Sequence, residues 1–121
     1  MTDAPSDRFR DVLHAERRRV ATQIDALQEQ FDAIVEASRD TAADDEHDPD
    51  GATVGFERAQ VAALLERAQA RLVELDEALT RLERGEFGAC NECGRPITPE
   101  RLAALPTARH CVDCASGLRR R

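Results

Sequence analysis

The sequence predicts an all-α fold: a long antiparallel coiled-coil hairpin followed by a small C-terminal module organised by four cysteines and ending in a short helix. Three observations carry this expectation. Two segments of matching length repeat apolar residues every seven positions. Aromatic residues are scarce, with four Phe and neither Trp nor Tyr in 121 residues, so a large globular core is improbable. All four cysteines fall near the C-terminus, as C-x2-C at Cys90 and Cys93 and again at Cys111 and Cys114.

Taken in order, residues 1–84 are expected to form the hairpin and residues 85–121 the cysteine module with its basic tail. From about Asp7 to Arg39 (7–39) the apolar residues Leu13, Val20, Leu27 and Ile34 recur at heptad spacing. Phe9, Ile24 and Phe31 fill adjacent turns, and neither Pro nor Gly interrupts. This is one apolar stripe on a charged helix, with Arg17-Arg18-Arg19 on the solvated face. Residues 40–51 carry six carboxylates in twelve positions together with Pro49 and Gly51, so an acidic turn is expected there. His47 lies in that turn without ligand-type partners other than carboxylates, and the cluster lacks the spacing of an EF-hand loop. Helix resumes over about 52–84. Val61, Ala68, Leu75 and Leu82 form one row of a heptad seam and Leu65, Leu72 and Leu79 the other. Each helix would be roughly 50 Å long at about 1.5 Å per residue. Two such helices joined by a short turn favour an intramolecular hairpin and a monomer over pairing between chains.

Gly85 fits a helix C-cap. Seventeen residues separate Cys93 from Cys111, within the spacing of a four-thiolate zinc site. Two C-x2-C turns can close a tetrahedron around one Zn²⁺, and four protein ligands leave no open position, so a zinc held here is structural. Two disulfides, a redox C-x2-C centre and an iron–sulfur cluster are weaker alternatives, because the sequence shows neither a secretory signal nor a βαβ pattern. Gly94 follows the first cysteine pair. Thr98 and Pro99 fit the N-cap and first position of a short helix that Pro106 ends, and another short helix is expected from about Asp113. Phe87, Ile97, Leu102, Leu105 and Val112 are too few to hold such a module, so metal must supply the balance. Arg95 and Arg109 stand ready to offset the negative charge of four thiolates.

Net charge is −7, and every basic residue is Arg. From Gly94 onward six arginines meet two carboxylates, a local +4, leaving −11 over residues 1–93. An acidic chain is a poor candidate for wrapping DNA, whose affinity for proteins rests on phosphate neutralisation. No apolar run reaches the roughly 20 residues of a membrane span, and a cytoplasmic location without membrane partners is expected. No nucleophile–base constellation or Gly-rich phosphate loop points to an enzyme.

The run Gly85-Glu-Phe-Gly-Ala-Cys-Asn-Glu-Cys-Gly, followed by Ile97-Thr-Pro-Glu-Arg-Leu-Ala-Ala-Leu-Pro-Thr-Ala-Arg-His-Cys-Val-Asp-Cys, resembles the DksA/TraR C4-type zinc-finger proteins. The preceding hairpin agrees with that family's architecture. The resemblance implies a transcription regulator that docks on bacterial RNA polymerase without binding DNA, inserts its coiled-coil tip into the secondary channel and alters initiation. It also implies polymerase-contacting tip residues. Asp50-Gly51-Ala52 matches the family's Asp-x-Ala motif at the same distance from the first cysteine, with Asp48 beside it. Some family members act with ppGpp. At positions basic in those members this chain has Glu74, Leu105 and Ala115, although Arg67 keeps its charge, so a weak or absent ppGpp response is expected. Two alternative functions are a DNA-binding zinc-finger protein using Arg119-Arg120-Arg121 and a coiled-coil adaptor.

Overall fold

A computed structural model describes residues 4–40 and 49–117 of the chain. Among the described residues four helices follow in order: α1 (Ala4–Asp40), α2 (Pro49–Glu83), α3 (Pro99–Ala104) and α4 (Val112–Ala115). Among the described residues there is no strand, only an isolated antiparallel bridge between Ala89 and Pro96. The all-α expectation holds, and the two long helices pack as a hairpin. Of the acidic turn expected over 40–51, residues 41–48, with His47 and Asp48, lie outside the described residues, while Asp40 ends α1 and 49–51 belong to α2.

The second long helix begins at Pro49, three residues ahead of the expected Ala52. Pro49 and Gly51 read as breakers in sequence, yet proline is pre-organised for the first helical position, where its missing N–H is not needed. Asp50 therefore lies in the first turn of α2. At the other end, Gly85 adopts φ +74°. Its N–H bonds to the Leu82 carbonyl at 3.2 Å, and the Glu86 N–H bonds to the Arg81 carbonyl at 2.8 Å. This is a Schellman stop, and it requires a left-handed residue at Gly85.

The chain divides into two compact units, one made of Arg19–Leu72 and the other of the stretches Met1–Arg18 and Val73–Arg121. In the first, Val20, Leu27, Val61 and Ala68 are buried at heptad spacing, with Ile24, Phe31, Ile34, Leu65 and Leu72 half-buried beside them. Phe56 remains 70% exposed. In the second unit, Leu13, Leu75 and Ala78 are buried between the helices. Arg17 grips Asp76 through two hydrogen bonds, from Nε to Oδ1 and from Nη2 to Oδ2, the latter at 3.2 Å. That bond ties α1 to α2 in antiparallel register. It also takes Arg17 out of the purely solvated run in which the sequence reading placed it.

The cysteine module has its own small core of Cys90, Ile97, Leu102, Ala108 and Cys114. Phe87 packs against it, and so does Phe9 from α1. The two rings sit 5.5 Å apart at a 42° tilt, within the range of favourable aromatic pairs. Leu105 and Val112, expected to help fill this core, are 41% and 56% exposed. Leu105 caps α3, and Val112 opens α4, so each is turned outward by the short helix it bounds. Phe9 supplies apolar surface that the module's own sequence lacks. Among the described residues no helix is long and apolar enough to cross a membrane.

Candidate metal centre

The first cysteine pair is shaped by backbone bonds. The Ala89–Pro96 bridge brings the chain back on itself. The Cys90 N–H bonds to the Arg95 carbonyl at 2.9 Å and the Ile97 N–H to the Gly88 carbonyl at 2.7 Å. Gly94 turns at φ +76°, with its N–H on the Cys90 carbonyl at 3.0 Å. The second pair is built by a helix start. Cys111 is the N-cap of α4, and its sulfur accepts the Cys114 N–H at 3.4 Å. One turn is stitched to the other by the Asn91 N–H on the Arg109 carbonyl at 2.7 Å. The α3 helix starts as the sequence predicts, with the Thr98 side chain accepting the Arg101 N–H at 3.2 Å. Arg101 then donates from Nε to the His110 carbonyl at 2.9 Å, fixing the approach to Cys111.

The four sulfurs converge. All lie within 4.8 Å of one another. Cys90 and Cys114 are buried, while Cys93 and Cys111 are half-buried. The Cys93 and Cys111 sulfurs are 3.8 Å apart. A tetrahedron with Zn–S bonds of about 2.3 Å has edges of about 3.8 Å, whereas a disulfide needs about 2.05 Å. Sulfurs this close leave room for one ion and not for a multi-iron cluster, which would hold them apart by its own width. The donor set and its spacing fit one structural zinc.

The electrostatics favour the thiolate at Cys90 and Cys111. Burial pushes the Cys90 thiol up, but N–H groups of Cys93, Cys111 and Glu92 outweigh it and bring the thiol down to about 6. Cys111 is also lowered, chiefly by the Cys114 N–H. Cys114 is raised, first by burial and then by hydrogen bonding with the neighbouring sulfurs. A divalent ion at the centre would strip the remaining protons. The charge offset expected of Arg109 is partly spent elsewhere, since its Nη1 lies 3.6 Å from Glu77.

Of the expected tip residues, Asp50 and Ala52 fall near the start of α2, and Asp48 lies outside the described residues. Ala52 is exposed on α2, and Asp50 lies in the helix's first turn. Sequence reasoning missed Phe9 as part of the finger core and missed the Arg17–Asp76 tie. Phe9 precedes Leu13 by one helical turn, so it reads as one more member of the hairpin stripe.

A helical hairpin whose base is completed by a four-thiolate zinc finger defines the class of protein. The sequence profile of the prokaryotic dksA/traR C4-type zinc finger matches residues 85–120. The RNA polymerase-binding transcription factor DksA of Escherichia coli strain K12 is 30% identical over 114 residues, covering 94% of this chain and 71% of that protein. An uncharacterised protein of Aquifex aeolicus is 43% identical over 51 residues, covering 42% of this chain and 35% of that protein. The solved structure of transcription factor DksA2 from Pseudomonas aeruginosa aligns with a TM-score of 0.83 at 32% identity, covering 99% of this chain and 87% of that one. The chain belongs to the DksA/TraR family of C4-type zinc-finger proteins.

Proposed function

We propose that this protein is a transcription regulator that binds bacterial RNA polymerase. The observation that carries the reading is similarity along nearly the whole chain to a factor named for polymerase binding. In this reading residues 85–121 form a finger in which Cys90, Cys93, Cys111 and Cys114 hold the zinc, and residues 1–84 form the hairpin that reaches the enzyme. Asp48, Asp50 and Ala52 are the contacting residues. In this reading Asp50 brings an acceptor carboxylate to the contact, and Ala52 is small enough to allow close approach. The tip enters the secondary channel and modulates initiation. The regulator acts as a monomer in the cytoplasm, performs no catalysis and does not read DNA, consistent with its net charge of −7. Glu74, Leu105 and Ala115 stand where ppGpp-responsive members are basic, so the ppGpp response is weak or absent.

Binding of the zinc-loaded chain to immobilised RNA polymerase, run beside binding to duplex DNA over a salt series, tests the reading. Saturable binding to polymerase, with none to DNA at moderate salt, is expected. DNA binding that weakens steeply with salt, without polymerase binding, would replace the proposal with the DNA-binding alternative.

A further inference from the structure

Outside the cysteine centre, the described residues bring an unusual set of charges to one groove. It has a volume of about 370 Å³ and runs along the last turns of α2 beside the finger. Thr80, Arg81 and Arg84 line it from α2, with Asn91 from the first cysteine turn and Arg109 from the approach to the second. Three guanidinium groups thus meet in a chain whose net charge is −7.

Their counter-charges are incomplete. Glu77 on the groove wall answers Arg109 at 3.6 Å. Asp76, also on the wall, is held by Arg17. Arg84 is exposed, and its side chain has no hydrogen-bond or ion-pair partner among the described residues. Arg81 is the most telling, because its Nη2 is shielded from solvent with no hydrogen-bond partner. Burial and then the neighbouring Arg109 work against its charge, while Glu77 and Glu86 support it. A guanidinium does not shed its proton to escape such a position. The remedy is negative charge seated in the groove.

We propose that this groove binds a phosphate-type oxyanion, held by Arg81, Arg84 and Arg109 with Thr80 and Asn91 as side-chain donors. Planar guanidinium forks match phosphate oxygens two at a time, and three of them converging suit a doubly charged ligand better than chloride. With Asp76 bound to Arg17 and Glu77 to Arg109, the groove keeps a positive excess despite its two carboxylates. The ligand is free phosphate or the phosphate group of a small monoester. The residues are distinct from Arg67, Glu74, Leu105 and Ala115, so the site does not depend on the ppGpp expectation.

The test is a titration of the zinc-loaded full chain with inorganic phosphate and, separately, with phenyl phosphate at constant ionic strength. The readout is the NMR shift of the arginine Nε–Hε signals. Saturable shifts at Arg81, Arg84 and Arg109 are expected. Arg84→Gln, an exposed change that leaves the fold intact, should weaken binding about tenfold, the loss of a charge-assisted bond. Arg67→Gln, outside the groove, should leave it unchanged. Saturation by inorganic phosphate assigns a free ion, and saturation by phenyl phosphate alone assigns a monoester. Shifts that grow without saturating and spread over all arginines, or saturable binding untouched by Arg84→Gln, would overturn the proposal.

Discussion

Replacing Phe9 with Ala tests whether α1 completes the finger. A phenylalanine ring can bury about 200 Å², and about half of that at roughly 25 cal/mol per Å² gives about 2.5 kcal/mol. Compact unfolded chains already bury some of this surface, so about 2 kcal/mol is expected for Phe9→Ala and a similar loss for Phe87→Ala. The rings are 5.5 Å apart at 42°, a geometry worth about 1 kcal/mol beyond area. The double variant should therefore lose about 3 kcal/mol, less than the two single losses together. Urea unfolding of the zinc-saturated protein, followed by far-UV circular dichroism, measures all four corners of the cycle, with unchanged slopes confirming like-for-like unfolding. Losses that add to within about 0.3 kcal/mol would show that the two residues act independently and would refute the shared core. A neutral Phe9→Ala would remove α1 from the finger altogether.

Three further outcomes follow from the same contacts. Elemental analysis should find about one zinc per chain, and chelation should abolish the ordered amide signals of residues 85–117, since the module's few apolar residues do not hold it alone; a finger that stays folded after complete metal removal would contradict this. Gly85→Ala should destabilise by about 1–2 kcal/mol through its left-handed backbone alone, because a Cβ there meets nothing within 4 Å; this is checked by the same urea titration. The Arg17 hydrogen bond holds the Asp76 carboxyl below its ordinary range, so its stabilisation is complete above the unfolded value of about 3.9 and fades as pH falls through the lower folded value. Asp76→Asn should flatten that acid limb, and an acid unfolding curve identical to wild type would show that the pair contributes nothing.

Much of this was legible in the chain. The heptad rows located Leu13, Val20, Leu27, Val61, Ala68 and Leu75, all of them buried, because a strict period leaves one helical face available. The C-x2-C pairs located the metal centre because ligand spacing is a local property. The Thr98 cap and the Gly85 stop were local too. What escaped depends on contacts between distant segments. Phe9 shares the hairpin's periodicity and yet serves the finger. Asp76 looks like any surface carboxylate until Arg17, far off in sequence, lies beside it. Pro49 and Gly51 carry the signals of a turn, and only the helix itself shows that Pro49 opens it.

The most direct test of the central claim is transcription in vitro with the host's RNA polymerase, comparing wild type with Asp50→Asn. The account predicts that wild type changes promoter output, while the variant binds polymerase equally well and leaves output unchanged. A wild-type protein that neither binds polymerase nor alters output would contradict the account.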